Sequence, residues 1–411
     1  MRVNLFLAFL LVFTAHAAAQ TPSRYSIETP AATFAGVSLS ALASDGSLRV
    51  DGEGAARMLP RVVEVRRENA DLPAMPTRNF ALLTNGDRVP LDPDASAILD
   101  DGRVQVWPSG ALPGLQVKGV SLFAPHIVLL FWSIPAGVDD AELFYARLEK
   151  EARKRDVVYL KNGDRLEGAV TGLSAKDGCT VTTAERKAQV PRAKLAGIAW
   201  NTDRQARMRT KKTYWRATLE GGPRLNLLDL AFDEKSRRWH GTTQFGPTLD
   251  LPEESILALD VRQGQATDLA DLTPQRYEQR AYLGVTWPLT LDASATGHLL
   301  RLSGSTFERG LGMHAPSAAT YQLDGKYQRF LSLVGIDERS RRGRAKVAIL
   351  LDGKRIDLND GKELTSLTAP IPVRLDVRGV RALTLVVELG SFGDVQANVN
   401  WAKARLIKNE P

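Results

Sequence analysis

The sequence contains little cysteine and histidine, and it lacks the short motifs of several common enzyme classes. Cys179 is the only cysteine, so an internal disulfide is excluded and stability must come from packing. No His-Glu-x-x-His, Gly-x-Ser-x-Gly or Gly-x-x-x-x-Gly-Lys motif occurs. The histidines are isolated from one another, so no short spacing of metal ligands is present. These absences favour a non-catalytic protein without a cofactor.

Long apolar runs are scarce as well. The run from Leu5 to Thr14 follows Arg2 and precedes small residues, an order that is typical of a secretory signal peptide over residues 1–19. This run is too short to span roughly 30 Å of hydrocarbon. The apolar stretch 127–132 is shorter still and is bounded by prolines, so it predicts a buried strand. We therefore expect a secreted, periplasmic or cell-envelope protein with no transmembrane segment after cleavage.

The charge balance is basic, with a net charge of +7 and a pI near 9.4. The basic residues form scattered clusters that are typical of solvated loop faces. The alternative is affinity for anionic glycans or the envelope surface, because an exported protein meets little nucleic acid. A structural calcium ion is the alternative at one acidic stretch, but its spacing matches no known calcium loop, so a solvated turn is the favoured interpretation. The acidic residues concerned are Asp92, Asp94, Asp100 and Asp101.

An internal repeat organises much of the chain before the last third. Residues 83–89 (Leu-Thr-Asn-Gly-Asp-Arg-Val) match residues 160–166 (Leu-Lys-Asn-Gly-Asp-Arg-Leu), and residues 219–225 form a looser copy. Each copy reads as a strand, a Gly-centred turn and a second strand. A second apolar block follows each turn by about thirty residues with one shared spacing, which predicts a repeated all-β unit such as a small open barrel or curled sheet. A fainter unit is predicted within residues 34–68.

One helix interrupts this pattern. The Asp139 to Glu142 stretch has the spacing of a capping box, and Phe144 with Leu148 forms an apolar stripe. We expect a helix that links two of the β units. The predicted organisation is a signal peptide (1–19), N-terminal β units (20–138), a linker helix (139–156), second and third β repeat units (157–262), a polar linker (263–281) and a C-terminal module (282–408).

The C-terminal module shows clean alternation of apolar residues. One such face runs from Ala345 to Leu351 before the Asp352-Gly353 turn, and another from Leu383 to Leu389. Asp324-Gly325 has the composition of a further hairpin turn. Several short strands with no helical pattern between them predict a β-sandwich, so the whole chain is expected to be mainly β.

The order of motifs in this region resembles the NPCBM family, a carbohydrate-binding module family first associated with glycosyl hydrolase family 98. The resemblance runs from about Tyr282 to Leu406, through 310–317 (Gly-Leu-Gly-Met-His-Ala-Pro-Ser), 334–337 (Val-Gly-Ile-Asp) and 401–406 (Trp-Ala-Lys-Ala-Arg-Leu). It implies a galactose-binding-like jelly-roll sandwich that binds sugars. Where the family commonly has Asp-His-x-Asp-Trp, residues 397–401 read Ala-Asn-Val-Asn-Trp. This departure implies altered specificity, or retention of the fold alone.

A sugar site needs a flat apolar platform for C–H faces and fixed polar groups for hydroxyls. Trp401 with Asn398, Asn400 and Asp394 can supply both, although a core position on the last strand is the favoured interpretation of Trp401 itself.

Three further residues complete the predicted ligand-binding set. His314 and Ser317 lie in a Gly-rich loop, where polar side chains either face a ligand or satisfy a buried turn. Asp337 follows a predicted strand, where it either accepts sugar hydroxyls or caps the turn.

The sequence thus predicts an exported, non-catalytic carbohydrate-binding protein, with its oligomeric state left open. Two alternatives stand beside it. One is a glycan-processing enzyme with its active site in residues 20–280, since paired carboxylates of a glycosidase need no sequence motif. The other is a structural envelope protein whose sandwich contacts proteins and binds no sugar.

Overall fold

The protein is described from a computed structural model covering residues 23–43, 46–52, 55–98, 103–108, 120–208, 210–280 and 284–409. The predicted signal peptide lies outside these residues, as do Asp100, Asp101 and the side chain of Asp94. The described part of the chain is mainly β, which confirms the predicted fold class. It contains one α-helix, α1 (Ala141–Lys150), and several short 3₁₀ turns.

Four five-stranded repeats occupy the N-terminal two thirds of the chain. Repeat 1 (residues 25–67) comprises β1 (Tyr25–Glu28), β2 (Thr33–Leu42), β3 (Leu48–Gly52), β4 (Ala55–Leu59) and β5 (Glu64–Arg67). Repeat 2 (residues 80–131) comprises β6 (Phe80–Leu83), β7 (Arg88–Ile98), β8 (Arg103–Pro108), β9 (Val120–Phe123) and β10 (Ile127–Phe131). Repeat 3 (residues 156–199) comprises β11 (Asp156–Leu160), β12 (Arg165–Ser174), β13 (Gly178–Thr182), β14 (Lys187–Val190) and β15 (Leu195–Ala199). Repeat 4 (residues 214–262) comprises β16 (Tyr214–Leu219), β17 (Arg224–Asp233), β18 (Arg238–Thr243), β19 (Thr248–Pro252) and β20 (Ile256–Arg262).

The strand order is the same in every repeat. The first four strands pair in sequence as antiparallel neighbours, and the fifth returns to pair with the first. A 3₁₀ turn precedes the fifth strand in repeats 2, 3 and 4, at Ala124–His126, Arg192–Lys194 and Glu253–Ser255. The repeated β unit is thereby confirmed, and the fainter copy is a complete repeat that begins at Tyr25 rather than at residue 34.

The predicted turns require glycine at their second position. Gly163 and Gly222 have φ values of +96° and +101°, in the left-handed region that favours glycine. A Cβ added to Gly222 would lie 2.0 Å from the carbonyl oxygen of Ala74, so no other residue fits. The turn sequence therefore fixes the tight connection between the first two strands of each of these repeats.

The repeats associate in pairs through strand pairing. β5 of repeat 1 pairs with β20 of repeat 4, and β10 of repeat 2 pairs with β15 of repeat 3. Helix α1 connects repeats 2 and 3, and it buries Phe144, Tyr145 and Leu148 beside Phe131.

The capping of this helix differs from the prediction. Asp140, not Asp139, is the N-cap, since its carboxylate accepts a hydrogen bond from the backbone N–H of Leu143 at 3.0 Å. Both aspartates have the residue type of an N-cap, and the sequence alone did not separate them. The helix ends at Lys150, since the backbone of Glu151 is extended (φ −71°, ψ 125°). Beyond it, the buried Arg153 donates from Nε to the carbonyl oxygen of Trp200 at 3.0 Å.

The C-terminal strands form two sheets that pack face to face around one core. The first sheet has the order β23 (Thr290–Leu291), β26 (Gly310–His314), β34 (Asn398–Lys408), β28 (Tyr327–Ile336), β32 (Ile371–Asp376), and β21 (Ala266–Asp268) also pairs with β34. The second has the order β22 (Arg276–Gln279), β27 (Ser317–Gln322), β33 (Ala382–Leu389), β29 (Arg344–Leu351), β30 (Lys354–Asp357), and β31 (Leu364–Thr365) also pairs with β29. A separate hairpin, β24 (Leu300–Leu302) with β25 (Ser305–Phe307), packs against repeat 4. These elements are the sandwich module.

Two details of this region differ from the sequence prediction. Asp324 and Gly325 adopt positive φ values as expected, but the strands on either side, β27 and β28, belong to different sheets, so this turn is a crossover rather than a hairpin. Within the segment predicted as a linker, β21 and β22 pair with β34 and β27, so that segment contributes one strand to each sheet.

Candidate functional site

Four of the predicted ligand-binding residues meet at one end of the sandwich module. His314 ends β26 and lies opposite Asn398, the first residue of β34, in the antiparallel register. The His314 Nδ1 and Asn398 Oδ1 atoms are 2.7 Å apart, and the Asn398 amide donates to the Ser340 hydroxyl at 2.9 Å. Because the amide nitrogen of Asn398 is a donor here, its oxygen accepts the Nδ1 proton of His314.

A second hydrogen-bonded pair adjoins the first. The amide nitrogen of Asn400 donates to the Asp337 carboxylate at 2.9 Å and to the carbonyl oxygen of Arg301 at 3.2 Å. The backbone N–H of Asp337 donates to the carbonyl oxygen of Asn398, also at 2.9 Å, which joins the two pairs. His314, Asn398, Asp337 and Asn400 are all buried. They therefore form one polar network that holds the loops of this end in place.

Trp401 does not present a surface for a ligand. Its relative exposure is 0%, and it belongs to the core between the two sheets. The core interpretation is therefore the one that the structure supports, because a fully covered ring cannot stack on a sugar. Ser317 is buried at the start of β27 in the opposite sheet. Asp394 is half-buried in the loop before β34, and its carbonyl oxygen accepts from Ala397.

Trp287 is an aromatic residue that does reach the surface at this end. Its ring stacks on that of His314, with 4.4 Å between centroids and 23° between planes, and it is partly exposed. Its backbone is fixed on both sides: its N–H donates to Gln279 at 3.2 Å, and its carbonyl oxygen accepts from the Tyr277 hydroxyl at 3.0 Å. This role of Trp287 was not predicted, although a lone tryptophan beside Pro288 is a detectable signal in the sequence.

The loop before β34 borders this aromatic pair. The negative charge of Asp394 acts on His314 and favours protonation of the imidazole, which raises its pKa. In the same loop, the side-chain oxygen of Gln396 accepts from the backbone N–H of Arg342 at 3.0 Å. Trp287, His314, Asp394 and Gln396 are called the loop-end site below. It combines an aromatic ring with an acidic group and an amide, the groups that sugar recognition uses.

Burial sets the protonation of the histidine in this site. Desolvation lowers the pKa of His314 below 6.5, and it outweighs the opposing effects of Asn398 and Asp394. The imidazole is consequently neutral at pH 7. With Nδ1 protonated toward Asn398, Nε2 is left as an acceptor.

Among the described residues, no group of three or more His, Cys, Asp or Glu side chains is placed to hold a metal ion. Across the same residues, no helix combines the length and apolar character that crossing a bilayer requires.

The fold and the loop-end site define a β-sandwich module with an aromatic and polar surface at one end. Residues 265–407 match the model of the NPCBM/NEW2 domain, so the sandwich module is an NPCBM/NEW2 domain, as its motifs predicted. The match begins at residue 265 and so includes β21 and β22.

Similar proteins were found at the level of sequence and of structure. A protein of Renibacterium salmoninarum, provisionally named endo-alpha-N-acetylgalactosaminidase, is 27% identical over 124 residues, which cover 29% of this chain and 8% of that protein. The chain therefore corresponds to a small part of that relative.

Two solved structures cover different shares of the chain. The CBM51 module of a Clostridium perfringens GH95 protein, solved with methyl-galactose, is 23% identical; the match covers 34% of this chain and 99% of that one, with a TM-score of 0.31. The tandem CBM51 modules of a Streptococcus pneumoniae family 98 glycoside hydrolase are 12% identical, with coverages of 83% and 97% and a TM-score of 0.31.

Proposed function

We propose that this protein binds a glycan through the loop-end site of its NPCBM/NEW2 domain, and that it does so without catalysis. The family match over residues 265–407 is the observation that carries the proposal. The relative that matches 29% of this chain is named as an endo-alpha-N-acetylgalactosaminidase, and this name favours a galactose-like sugar as the ligand.

The geometry of the loop-end site supports this proposal. Trp287 offers a partly exposed ring whose position is fixed by hydrogen bonds on both sides of the residue and by stacking on His314. A pre-positioned ring loses little freedom when a sugar packs on it. The Asp394 carboxylate and the Gln396 amide supply an acceptor and a donor for hydroxyl groups. The buried network of Asn398 and Asp337 beneath them holds the loops of this end in position.

A glycan array with the full chain tests the proposal. We expect binding to glycans that end in galactose or N-acetylgalactosamine. Asp394→Asn should weaken this binding, because an amide accepts hydroxyl hydrogen bonds less strongly than a carboxylate. Asp360→Asn, the same change at an exposed aspartate of the 3₁₀ turn Asn359–Gly361, is the matched control. Absence of binding to every glycan would favour a structural role in the cell envelope instead.

We further propose that the protein is exported and that the four repeats form the scaffold that presents the NPCBM/NEW2 domain. The basic start, apolar run and small residues of the first 19 positions support export. N-terminal sequencing of the protein from cell fractions tests this point. A mature chain that starts near residue 20 in the envelope or medium is expected, and an intact Met1 in the cytoplasm contradicts it.

One observation favours a glycan-processing enzyme as the second candidate. A cavity of about 950 Å³ lies between the repeats and the sandwich module, and Asp292, Glu308 and Glu142 are among the residues that line it. Burial raises the pKa of Asp292 to about 6 against the opposing charge of Arg309, a value suited to a general acid. Release of sugar from a glycan that the array identifies, abolished by Asp292→Asn, would establish this candidate.

A further inference from the structure

The basic charge of the chain is concentrated in and around repeat 3. Residues 151–213 contain 15 lysines and arginines against 7 acidic residues, a net charge of +8. The whole chain carries +7, so the remaining residues together carry −1. The positive field of this protein therefore originates from one segment.

A groove with a volume of about 350 Å³ lies within this segment. Lys154 and Arg155 precede β11 on one side, and Arg204 ends the 3₁₀ turn Thr202–Arg204 on the other. Thr182, at the end of β13, and Asn201 also line it. The groove thus places three cations beside a hydroxyl and an amide.

Hydrogen bonds hold the two basic segments together. The Asn201 amide donates to the carbonyl oxygen of Lys154 at 2.8 Å, and the backbone N–H of Thr202 donates to the carbonyl oxygen of Arg153, also at 2.8 Å. The Thr202 hydroxyl also accepts from the backbone N–H of Arg153 at 2.8 Å. Because both backbones are tied together, Lys154 and Arg204 are held at the same groove.

The cations of the groove are available to a ligand. Arg153 is buried and donates to main-chain carbonyls, so its role is structural. Lys154, Arg155 and Arg204 are exposed, and within the described part of the chain none of them forms an ion pair. The acidic residue of the groove is Asp156, whose two oxygens accept from the backbone N–H groups of Val170 and Asn201 at 2.9 Å each.

The composition of the groove selects the class of ligand. None of the described residues that line it is aromatic, so bases of single-stranded nucleic acid have no ring to stack on. It also lacks a large apolar side chain of the kind that inserts into a lipid surface. Cations next to hydroxyl and amide groups match a polymer that carries both carboxylates and hydroxyls.

We propose that the groove of repeat 3 is a second binding site, which takes an acidic polysaccharide and is separate from the loop-end site. The exposed cations pair with carboxylates along the chain of sugars. The Thr182 hydroxyl and the second amide N–H of Asn201, whose first N–H donates to Lys154, hydrogen-bond to the hydroxyls of the sugars. Such contacts are weakened by salt, because exposed ion pairs are screened.

Retention of the full-length protein on polygalacturonate at low ionic strength tests this site. The wild type should bind, and added salt should release it. The triple variant Lys154→Gln, Arg155→Gln, Arg204→Gln should lose about tenfold in affinity, since each exposed ion pair contributes a few-fold. The control is Lys161→Gln, Arg165→Gln, Lys176→Gln, which removes the same charge from exposed residues of repeat 3 outside the groove.

Several outcomes would overturn the proposal. Equal losses in the two triple variants would show that only net charge matters. Equal affinity for polyglutamate, which has carboxylates but no sugar hydroxyls, would show that the groove does not recognise the sugar. Preferential binding to phosphatidylglycerol vesicles would show that the groove binds a membrane surface. No retention at all on polygalacturonate would show that the groove does not bind an acidic polysaccharide. Unchanged polygalacturonate binding by Trp287→Ala separates this site from the loop-end site.

Discussion

The guanidinium of Arg216 in repeat 4 lies 2.7 Å from the carboxylate of Glu308, directly after β25 of the sandwich module. The Nε atom of Arg216 is 3.2 Å from the second carboxylate oxygen, so the pair is bidentate. Burial alone would raise the pKa of Glu308, but Arg216 lowers it to about 2. This ion pair joins the repeats to the NPCBM/NEW2 domain.

Removing this carboxylate should destabilise the protein strongly. Glu308→Gln leaves the buried guanidinium of Arg216 with less compensation, which we expect to cost about 3 kcal/mol of unfolding free energy. Urea unfolding measures the change. The matched control is Glu388→Gln, which breaks the exposed pair with Arg355 and should cost less than about 1 kcal/mol. Similar costs for the two variants would show that the Arg216–Glu308 pair does not stabilise the interface.

Asp87 should make stability fall between pH 4 and pH 7. Burial raises its pKa from 3.8 to about 7, although Arg216 donates to it at 2.9 Å. The folded state therefore holds a proton that the unfolded state releases, so this stabilisation is complete below pH 3.8 and lost as pH rises to about 7.

Unfolding free energies across this pH range test the assignment to Asp87. Asp87→Asn removes this titration, so the unfolding free energy of the variant should fall less between pH 4 and pH 7 than that of the wild type. The difference between the two declines should be at most on the order of 4 kcal/mol. Parallel pH profiles of the two proteins would contradict the assignment.

His314 should have the opposite effect at mildly acidic pH. Its pKa in the folded state lies below 6.5, so the unfolded state binds a proton first as pH falls. Its contribution is present above pH 6.5 and is lost as pH drops through the folded pKa. Melting temperatures from pH 8 to pH 5 should decline less in His314→Gln than in the wild type. An equally steep decline in His314→Gln and in the wild type would contradict the assignment to His314.

Trp401 should matter for stability and not for direct sugar contact. Trp401→Ala deletes a fully buried ring from the core and should cost about 3–5 kcal/mol. Phe392→Ala, which truncates a ring that is 51% exposed, is the control and should have a much smaller effect. A stable Trp401→Ala variant with reduced sugar affinity would contradict the core assignment.

The sequence predicted the local features of the fold well. Alternation of apolar residues indicates which strands exist, and Gly163 and Gly222 mark turns, because both signals depend on neighbouring residues alone. Asp324-Gly325 was assigned to the wrong connection, since the same turn composition serves a hairpin and a crossover between sheets.

The site was less predictable because it depends on distant contacts. In β34, Trp401 faces the core of the sandwich, while Ala402 packs against the β24–β25 hairpin and Ile407 against Val63 of the repeats. This strand is therefore covered on both faces, so no alternation separates ligand-facing from buried residues. The stacking of Trp287 on His314 joins two segments that no local pattern connects.

Trp287 is the platform of the loop-end site, and glycan binding there depends on its ring most directly. Calorimetric titration of the full-length protein with the best glycan from the array should show binding that Trp287→Ala weakens about tenfold or more, since a buried aromatic contact of this size contributes roughly 1–3 kcal/mol. Phe123→Ala, at an exposed ring of repeat 2, should leave the affinity unchanged. Undiminished affinity in a correctly folded Trp287→Ala variant would contradict the account.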